Sequence, residues 1–460
     1  MKREIQVDGV IPAFGDYPAA IESHGLLFVS GMRGGRPDAR PQSVSELPET
    51  AQHLASPYGL VDQVEGPVIA DAWTAFENLT KVLKAAGSDQ SQILRLHIWQ
   101  RDKRFFPRLE QVRMVWQPVP CPSSGLGVKN VCGNYGAHYG LSAVAAVPGL
   151  SDVYTGRDVV KTFDNKDLPS ASFYSQAVRS GPIVFLAGHI PIRTDAPGKP
   201  VVMSYDDVPE EGRKMRTGRS HPDSRHGPIA AQTWFCYDEI RKNLAAQGLA
   251  LDDIVQLTIF LADLRDMPDF LRVHEQFFPN GGPALTVTGF DEVGHRGTLI
   301  EIEPVAVHRS PSVTVTETPW QIPAPMPGAA AVTVDHFTFL SGMVGLTKDG
   351  TIAKSAADVS DDAGIALVSE LAKTERVPGL AAQCWLAFER LAETLQAAGL
   401  DLDKLVKMTV FMADPADFEI FEAVRRAFIT ANLPAMEGIV VFGPGVTLDT
   451  HVQIEAIAAQ

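Results

Sequence analysis

The sequence predicts an α+β fold that is built three times within one chain of 460 residues. Three observations predict it: a strand ending in glycine recurs three times, an amphipathic helix recurs before a fixed glycine, and a strand recurs after it. The length allows about three domains of ~150 residues each. We expect each unit to be a mainly antiparallel sheet packed by two helices.

The strand ending is the first repeated element. It reads FVSGM at residues 28–32, FLAGH at residues 185–189 and FLSGM at residues 339–343. Large apolar residues followed by a small residue and glycine are typical of a strand that leads into a turn. We therefore expect a strand hairpin at the start of each unit.

The helix is the second repeated element, and in each unit it ends at a glycine, at Gly87, Gly248 and Gly399. Large apolar residues recur fourteen, eleven, eight and four positions before these glycines. They are Trp73, Trp234 and Trp385; Phe76, Tyr237 and Phe388; Leu79, Ile240 and Leu391; and Leu83, Leu244 and Leu395. Spacings of three and four place them on one helix face, and glycine is a common left-handed terminator.

A strand with β-branched residues follows each glycine, as LRLHIW, VQLTIF and VKMTVF. An aspartate and a proline then recur at fixed distances, as Asp102, Asp263 and Asp414 and as Pro122, Pro283 and Pro434. A second helix is predicted over 268–278 and 416–429, and a closing strand over 299–307 and 452–459. We place the domain boundaries at 1–160, 161–312 and 313–460.

Composition and charge exclude several classes of function. The formal charge of −15 argues against a nucleic-acid partner, whose binding surface would be basic. No apolar run is long enough for a membrane helix, and no secretory signal is recognisable. The four cysteines are scattered and no zinc-binding spacing occurs, so we expect reduced thiols in a cytoplasmic protein that needs no metal and no cofactor.

The motifs of the middle and last units resemble the reactive-intermediate deaminase (Rid) superfamily. The middle unit carries FYSQAVRSGPIVFLAGHIPI, VQLTIFLADLRDMPDF and IEIEPVAV, and the last carries LSGMVG and QIEAIA. The resemblance implies chorismate-mutase-like domains, which usually assemble as homotrimers with small-molecule clefts between subunits. With three Rid-like units in one chain, we expect an intrachain pseudo-trimer with three inequivalent clefts. Whether such pseudo-trimers associate further is left open.

The resemblance also implies which positions bind substrate, and the chain departs from the family at the most important one. The family arginine, two residues after the repeated proline, binds the substrate carboxylate through its two-pronged guanidinium. The matching residues here are Ser124, Leu285 and Met436, none of which can form that ion pair. The usual activity is therefore in question in all three clefts.

Other family positions are retained unevenly. The cleft tyrosine matches Tyr17 and Tyr174, and the hairpin serine matches Ser30 and Ser341. The glutamate that handles water matches Glu301 in the middle unit. The last unit has Gln453 there, and the first unit has no carboxylate. Glu301 with Tyr174 makes the middle unit the best candidate for catalysis. The structural alternatives are a hydrogen-bonded carboxylate and a packed tyrosine.

Three further sets of residues could serve a cleft. His189 follows the hairpin glycine, where the other units have methionine, and could exchange protons, although a hydrogen-bonded structural histidine is the alternative. The basic segment 211–228 contains Arg216 and Arg219, which could replace the missing cation from a lid or belong to a solvated surface loop. Arg296, in the turn before the last strand of the middle unit, could reach a cleft rim.

The leading hypothesis is a hydrolase or deaminase that acts on a small polar, anionic metabolite, with Glu301 handling water and Tyr174 and His189 orienting the substrate. A second hypothesis is a catalytically silent protein that binds a small molecule or a partner, which the loss of the arginine favours. A third is a diverged hydrolase or lyase with another substrate, because a fold does not fix a reaction.

Overall fold

The computed structural model describes residues 2–10, 16–35, 41–117, 119–131, 136–160, 162, 174–193, 196–198, 200–293, 295–308, 313–319, 326–445 and 447–460. Within these residues the chain is an α+β protein with three mixed sheets. No helix in the described part of the chain is both long and apolar enough to cross a bilayer.

The first sheet and its two helices are built from the N-terminal third of the chain. The elements are β1 (Arg3–Ile5), β2 (Ala20–Ser23), β3 (Leu26–Val29), β4 (Met32–Arg33), α1 (Gly59–Ala86), β5 (Ile93–Gln100), α2 (Phe106–Trp116), β6 (Ser123–Gly127), β7 (Asn130–Val131) and β8 (Tyr139–Ala146). Helix α1 ends as its sequence predicts. Gly87 has a φ of +86°, and its N–H donates to the carbonyls of Leu83 and Lys84.

The second sheet uses the middle of the chain. Its region contains β9 (Asp158–Val159), β10 (Ala177–Ser180), β11 (Ile183–Leu186), α3 (Glu210–Arg213), α4 (Ser220–Arg225), α5 (Gly227–Ala245), β12 (Ile254–Leu261), α6 (Met267–Phe277), β13 (Ala284–Gly289), β14 (Glu292–Val293) and β15 (Ile300–Val307). The two short helices α3 and α4 fall within the basic segment, so this segment is helical in part rather than a plain loop.

The third sheet uses the C-terminal part. Its elements are β16 (Thr314–Thr316), β17 (Ala331–Val334), β18 (Phe337–Leu340), β19 (Met343–Val344), α7 (Asp362–Leu371), α8 (Leu380–Ala397), β20 (Leu405–Met412), α9 (Phe418–Phe428), β21 (Ala435–Val440) and β22 (Val452–Ala459). Helix α8 carries the predicted apolar stripe, and Trp385, Phe388, Leu391 and Leu395 are all buried.

The three sheets share one strand order. A hairpin pairs with the closing strand, the closing strand pairs with the strand that follows the long helix, and that strand pairs in parallel with one more strand. The orders are β2-β3-β8-β5-β6, β10-β11-β15-β12-β13 and β17-β18-β22-β20-β21. Each sheet is thus mainly antiparallel with one parallel pair. The division of the chain at residues 160 and 312 stays a prediction.

The closing strands alternate between two environments. On β15, Ile300 and Ile302 pack with the residues of α5 and α6, whereas Val305 and Val307 pack in a cluster shared by all three sheets. Successive residues of a strand point to opposite faces, so Glu301 and Glu303 turn away from the helices of their own sheet. Charged side chains therefore enter the space between the sheets.

Short strands join each sheet to its neighbours. Strand β14 pairs with β6 of the first sheet, β7 pairs with β21 of the third sheet, and Gly289 bridges to Gly443. Because backbone groups buried at a sheet edge need partners, these pairings seal the edges where two sheets meet.

Candidate functional site

The glycine at the end of each hairpin meets the parallel strand of another sheet, and these three junctions are the candidate clefts. The backbone N–H of Gly188 donates to Ser123 O at 3.3 Å, that of Gly342 to Leu285 O at 3.2 Å, and that of Gly31 to Met436 O at 2.9 Å. We name them, from their distinguishing residues, the Glu301 cleft, the Gln453 cleft and the Tyr17 cleft.

The pairing register corrects one predicted match. Leu96 pairs with Ser123, whereas the equivalent Leu257 and Met408 pair with Leu285 and Met436. By register, the residue of the first sheet that corresponds to Leu285 and Met436 is therefore Ser123, not Ser124. Counting from Pro122 gives the wrong residue because the first sheet has one residue fewer between Leu96 and its partner Ser123 than the second sheet has between Leu257 and Leu285. Ser123, like Ser124, carries no charge.

The Glu301 cleft brings together side chains from two sheets. A Cβ built on Gly188 would overlap Glu301 Oε1 and would lie 2.6 Å from Ser124 Oγ, so both side chains press against this glycine. Glu301 is 3% exposed, and Ser124 donates to Glu303, the next inward residue on β15. Glycine is the residue that lets two polar side chains approach the backbone this closely.

Electrostatics distinguish Glu301 from the other carboxyl groups of the cleft. Burial, assisted by the negative charge of Glu303 and opposed by Lys103, raises the pKa of Glu301 to about 8. Burial, followed by the charges of Glu301 and Glu239, also raises the pKa of Tyr174. A carboxyl whose pKa lies near neutrality can both accept and return a proton.

Lys103 is a cation close to Glu301, and the sequence did not single it out. Its Nζ donates to Gly125 O at 2.7 Å and lies 4.4 Å from the centre of the Phe106 ring. Gly125 follows Ser124 on β6. A lysine within an Asp-Lys-Arg turn carries no recognisable signal, because its proximity to Glu301 depends on how two sheets pack.

The Gln453 cleft has the same backbone arrangement as the Glu301 cleft, but a glutamine stands in place of the acid. The amide nitrogen of Gln453 donates to Val287 O at 2.9 Å and to Pro444 O at 2.6 Å. Ser341 Oγ donates to Ala329 O and accepts from the N–H of Leu285, both at 2.7 Å. These polar groups satisfy one another across the cleft, and Ser341 as a substrate-binding residue stays a prediction.

The polar groups of the Tyr17 cleft are also hydrogen-bonded to protein partners. The Tyr17 hydroxyl donates to Glu422 at 2.5 Å, and the ring lies 5.5 Å from the guanidinium of Arg425. Ser30 Oγ donates to Pro18 O at 2.6 Å and accepts from the N–H of Met436 at 2.9 Å. Tyr17 is 2% exposed. Both predicted substrate-binding residues, Tyr17 and Ser30, are thus held by protein partners in this structure.

Comparison with known proteins fits this architecture. The family model described as Endoribonuclease L-PSP matches residues 165–308 and 322–460, which together are more than half of the chain. The chain belongs to the endoribonuclease L-PSP family. This is the family predicted above as the reactive-intermediate deaminase (Rid) superfamily, and the match covers two successive regions.

Relatives of the endoribonuclease L-PSP family resemble parts of the chain. A Mus musculus protein named 2-iminobutanoate/2-iminopropanoate deaminase is 30% identical over 135 residues, covering 29% of this chain and 82% of that protein. A structure of a putative endoribonuclease from Klebsiella pneumoniae covers 30% of this chain and 100% of its own, with 31% identity and a TM-score of 0.28. A chorismatase structure covers 80% of this chain and 93% of its own, with 14% identity and a TM-score of 0.45.

His189 lies beside the Glu301 cleft of this family member, but both ring nitrogens are engaged. Nδ1 lies 2.8 Å from Ala187 O and Nε2 lies 2.9 Å from the Asn243 side-chain nitrogen. Burial lowers the pKa of His189 to about 4. A neutral ring that donates through Nδ1 and accepts through Nε2 accounts for both contacts. This geometry fits the alternative of a hydrogen-bonded structural histidine, and a catalytic role for His189 stays a prediction.

The three arginines predicted to bind substrate lie on the surface. Arg216 is exposed, donates to Asp206 and lies 6.0 Å from the ring centre of Tyr205. Tyr205 and Met215 pack with Ile300 and Ile302 on the helix side of the second sheet, the face opposite to Glu301. Arg219 and Arg296 are also exposed. Substrate binding by these three arginines stays a prediction.

A cluster of buried charges occupies the centre where all three sheets meet. Arg95 and His97 of the first sheet contact Glu303 of the second at 2.9 and 3.0 Å, and Lys407 contacts Glu437 within the third at 3.2 Å. Burial alone would lower the pKa of His97, but Glu303 and Glu437 raise it to about 9. Removing one member of such a cluster costs about 3–5 kcal/mol. The cluster therefore links the three sheets.

The described residues contain no group of three histidine, cysteine, aspartate or glutamate side chains arranged to hold a metal ion. A small cavity of about 40 Å³ lies at the central cluster, lined by Arg95, Lys407 and Glu455 among others. That volume fits a few water molecules. The central cavity is thus too small for the predicted metabolite, and the Glu301 cleft remains the candidate site.

Proposed function

We propose that the chain is a hydrolase of the deaminase type that cleaves the carbon–nitrogen bond of a small anionic imine in the Glu301 cleft. The observation that carries the proposal is a buried carboxyl, Glu301, whose pKa is raised to about 8 beside Ser124 and Tyr174. The name of the Mus musculus relative, 2-iminobutanoate/2-iminopropanoate deaminase, supports the same reaction class.

The chemistry requires one carboxyl that moves protons. Ionised Glu301 removes a proton from water as the water oxygen bonds to the imine carbon, and it then gives this proton to the nitrogen, which has taken the π electrons of the imine. Glu301 next removes the hydroxyl proton of the resulting carbinolamine and passes it to the nitrogen as the carbon–nitrogen bond breaks, which releases ammonia and a 2-oxo acid. The Tyr174 hydroxyl, whose raised pKa keeps it protonated, donates a hydrogen bond to the substrate. Neither a metal nor a cofactor takes part in this scheme.

The proposal includes three Rid-like domains that close as an intrachain pseudo-trimer with one working cleft. The shared strand order of the three sheets, the pairings that join them and the central charged cluster support it. We expect light scattering to report the mass of a single chain. A stable dimer or trimer of chains would show that the pseudo-trimers associate further.

A cytoplasmic location is part of the same proposal. Cys121, Cys236 and Cys384 are free and buried, which suits a reducing compartment. Fractionation of the native host would test this location, and recovery in an organelle would contradict it.

The proposal is tested by the turnover of 2-iminopropanoate by the parent protein, Glu301→Gln and Glu370→Gln. Glu370 lies exposed on α7, so its variant controls for the substitution itself. We expect Glu301→Gln to lower kcat/KM by about 10²–10⁴-fold, the usual contribution of a general base, and Glu370→Gln to match the parent. No turnover by the parent, or full turnover by Glu301→Gln, would refute the proposal.

The rival is a protein that binds a small molecule without converting it. It is favoured by the residues at the arginine position, which are Ser123, Leu285 and Met436 in the three sheets. Saturable binding of a 2-oxo acid without any turnover of the imine would support this rival.

A further inference from the structure

An anionic substrate in the Glu301 cleft needs a positive group, and the usual position supplies only the Ser123 hydroxyl. The need for this charge rests on the function proposed above. Two side chains lie close to Gly125, the residue after Ser124 on β6, and could bind the anion.

The first is Lys103, in the turn after β5. The Lys103 ammonium is half-buried and contacts Gly125 O and the face of the Phe106 ring. Gly125 belongs to β6, the strand that also presents Ser124 to Glu301. The equivalent positions in the other sheets are Leu264 and Pro415, which carry no charge. The cation is therefore specific to the one cleft that retains a carboxyl at the glutamate position.

The second is Gln100, the last residue of β5. Its side chain is 0% exposed, and among the described residues neither its amide nitrogen nor its amide oxygen has a hydrogen-bond partner. A Cβ built on Gly125 would lie 3.6 Å from Gln100 Nε2. The equivalent residues, Leu261 and Met412, are apolar and buried. Burying an amide without partners costs free energy, so this amide beside Gly125 is a candidate group for binding a ligand.

We infer that Lys103 and Gln100 form the carboxylate subsite of the Glu301 cleft, in place of the guanidinium that the family uses. Lys103 contributes the positive charge and Gln100 contributes a neutral N–H donor, so that each oxygen of a small 2-oxo or 2-imino acid has a partner. Both donors lie against Gly125, which Lys103 contacts at the carbonyl and Gln100 at the Cα side.

Two arginines at equivalent positions of the first and third sheets, Arg113 and Arg425, already have protein partners. Arg113 reaches Ser123 Oγ at 3.1 Å, but its guanidinium also donates to Gln117 and Cys121 and lies 3.4 Å from Glu110. Its counterpart in the third sheet, Arg425, holds Glu422 below Tyr17. These two arginines therefore act as structural partners of their own helices.

The experiment is calorimetric titration of pyruvate and of its neutral analogue pyruvamide. It uses the full-length parent, Lys103→Met, Gln100→Leu and Arg104→Met. Arg104 is adjacent to Lys103, is exposed and pairs with Asp102, so its variant is the matched control. Arg216→Ala and Arg219→Ala in the same titration test whether the surface segment supplies the charge instead.

We expect Lys103→Met to weaken pyruvate binding by about tenfold or more and pyruvamide binding by less than about twofold, because only pyruvate carries the charge. Gln100→Leu should weaken pyruvate binding and at the same time raise the melting temperature of the free protein. A merely structural glutamine would instead lower that temperature when replaced. Arg104→Met should bind both ligands as the parent does.

Several results would overturn the subsite: no pyruvate binding by the parent, equal loss of both ligands in Lys103→Met, or a loss that follows Arg216→Ala rather than Lys103→Met. Binding is measured without turnover, so the two proposals fail separately. Lysine-dependent pyruvate binding by a protein that never hydrolyses the imine would refute the reaction alone. Imine turnover with an unchanged KM in Lys103→Met would refute the subsite alone.

Discussion

The Glu301 cleft and the Gln453 cleft have the same backbone arrangement and differ in which side chain donates a hydrogen bond to one backbone carbonyl. In the Gln453 cleft the glutamine amide donates to Val287 O. In the Glu301 cleft the equivalent carbonyl, Gly125 O, accepts from Lys103 instead. A lysine from the first sheet thus replaces the amide as the donor to this carbonyl, and an acid stands at the glutamine position.

The difference teaches how a covalent trimer can specialise. A symmetric homotrimer carries the same residue at all three seams, whereas this chain has a carboxyl at one, an amide at the second and Gly140 at the third. The Gln453 and Tyr17 clefts satisfy their own polar groups and add to stability. The Glu301 cleft keeps a buried acid with a raised pKa, which costs stability and is typical of functional sites.

Replacing the hairpin glycines gives the largest expected contrast between these two clefts. Gly188→Ala places a Cβ against Glu301 and Ser124, and Gly342→Ala places one against Gln453. Both variants should lose about 1–3 kcal/mol of unfolding free energy from overpacking. We expect Gly188→Ala alone to lose about a hundredfold in imine turnover, because it displaces the general base.

The measurement is kcat/KM for 2-iminopropanoate together with urea unfolding of each variant. The matched stability loss in Gly342→Ala controls for general damage to the fold. Equal turnover by the two variants would remove the distinction between the clefts.

The pH dependence gives the next largest effect, since glutamine does not titrate and Glu301 does. Its pKa of about 8 means that the ionised base increases as the pH rises through that value. We expect kcat/KM to rise about tenfold between pH 7 and pH 9 and then to level off. The same raised pKa means that the folded state holds its proton longer than the unfolded chain, so this group lowers stability as the pH rises from about 4.5 to 8.

Turnover is followed across this range with the uncatalysed hydrolysis subtracted, and unfolding is followed in the same buffers. In Glu301→Gln the decline in stability assigned to this group should vanish. A rate that falls through pH 8 would show that protonated Glu301 is the active form, and the assignment as a base would then be wrong.

Much of the fold could be predicted from local patterns in the sequence. The helix that ends at Gly87 and the strand that follows depend on periodicity and on one left-handed glycine, both of which are visible in a short window. Glu301 and Tyr174 were predicted from the resemblance to the Rid superfamily, and in the structure the charge of Glu301 adds to the effect of burial in raising the pKa of Tyr174. Their catalytic roles stay predictions.

The rest of the site depends on contacts between distant parts of the chain. Lys103 and Gln100 stand out only when β6 of the first sheet faces Glu301 of the second, about two hundred residues later. The offset that makes Ser123 the counterpart of Leu285 appears in the strand register and not in the proline spacing. The basic segment illustrates the opposite case, because its charge pattern is conspicuous and yet Arg216 lies on the helix side of the sheet.

The two cleft tyrosines give the smallest expected effect and the finest test of the comparison. Tyr17 donates to the buried carboxylate of Glu422, whereas Tyr174 lies near Glu301. Tyr17→Phe should cost about 1–2 kcal/mol of unfolding free energy, the range for a hydrogen bond to a charged partner, and should leave imine turnover unchanged. Tyr174→Phe should change stability little and lower kcat by about threefold to tenfold through a lost substrate hydrogen bond. Urea unfolding measures the stability of both variants, and steady-state kinetics measures their turnover.

If Tyr17→Phe were the variant that loses turnover, the working cleft would lie between the first and third sheets, because Tyr17 contacts Glu422 and Arg425 there.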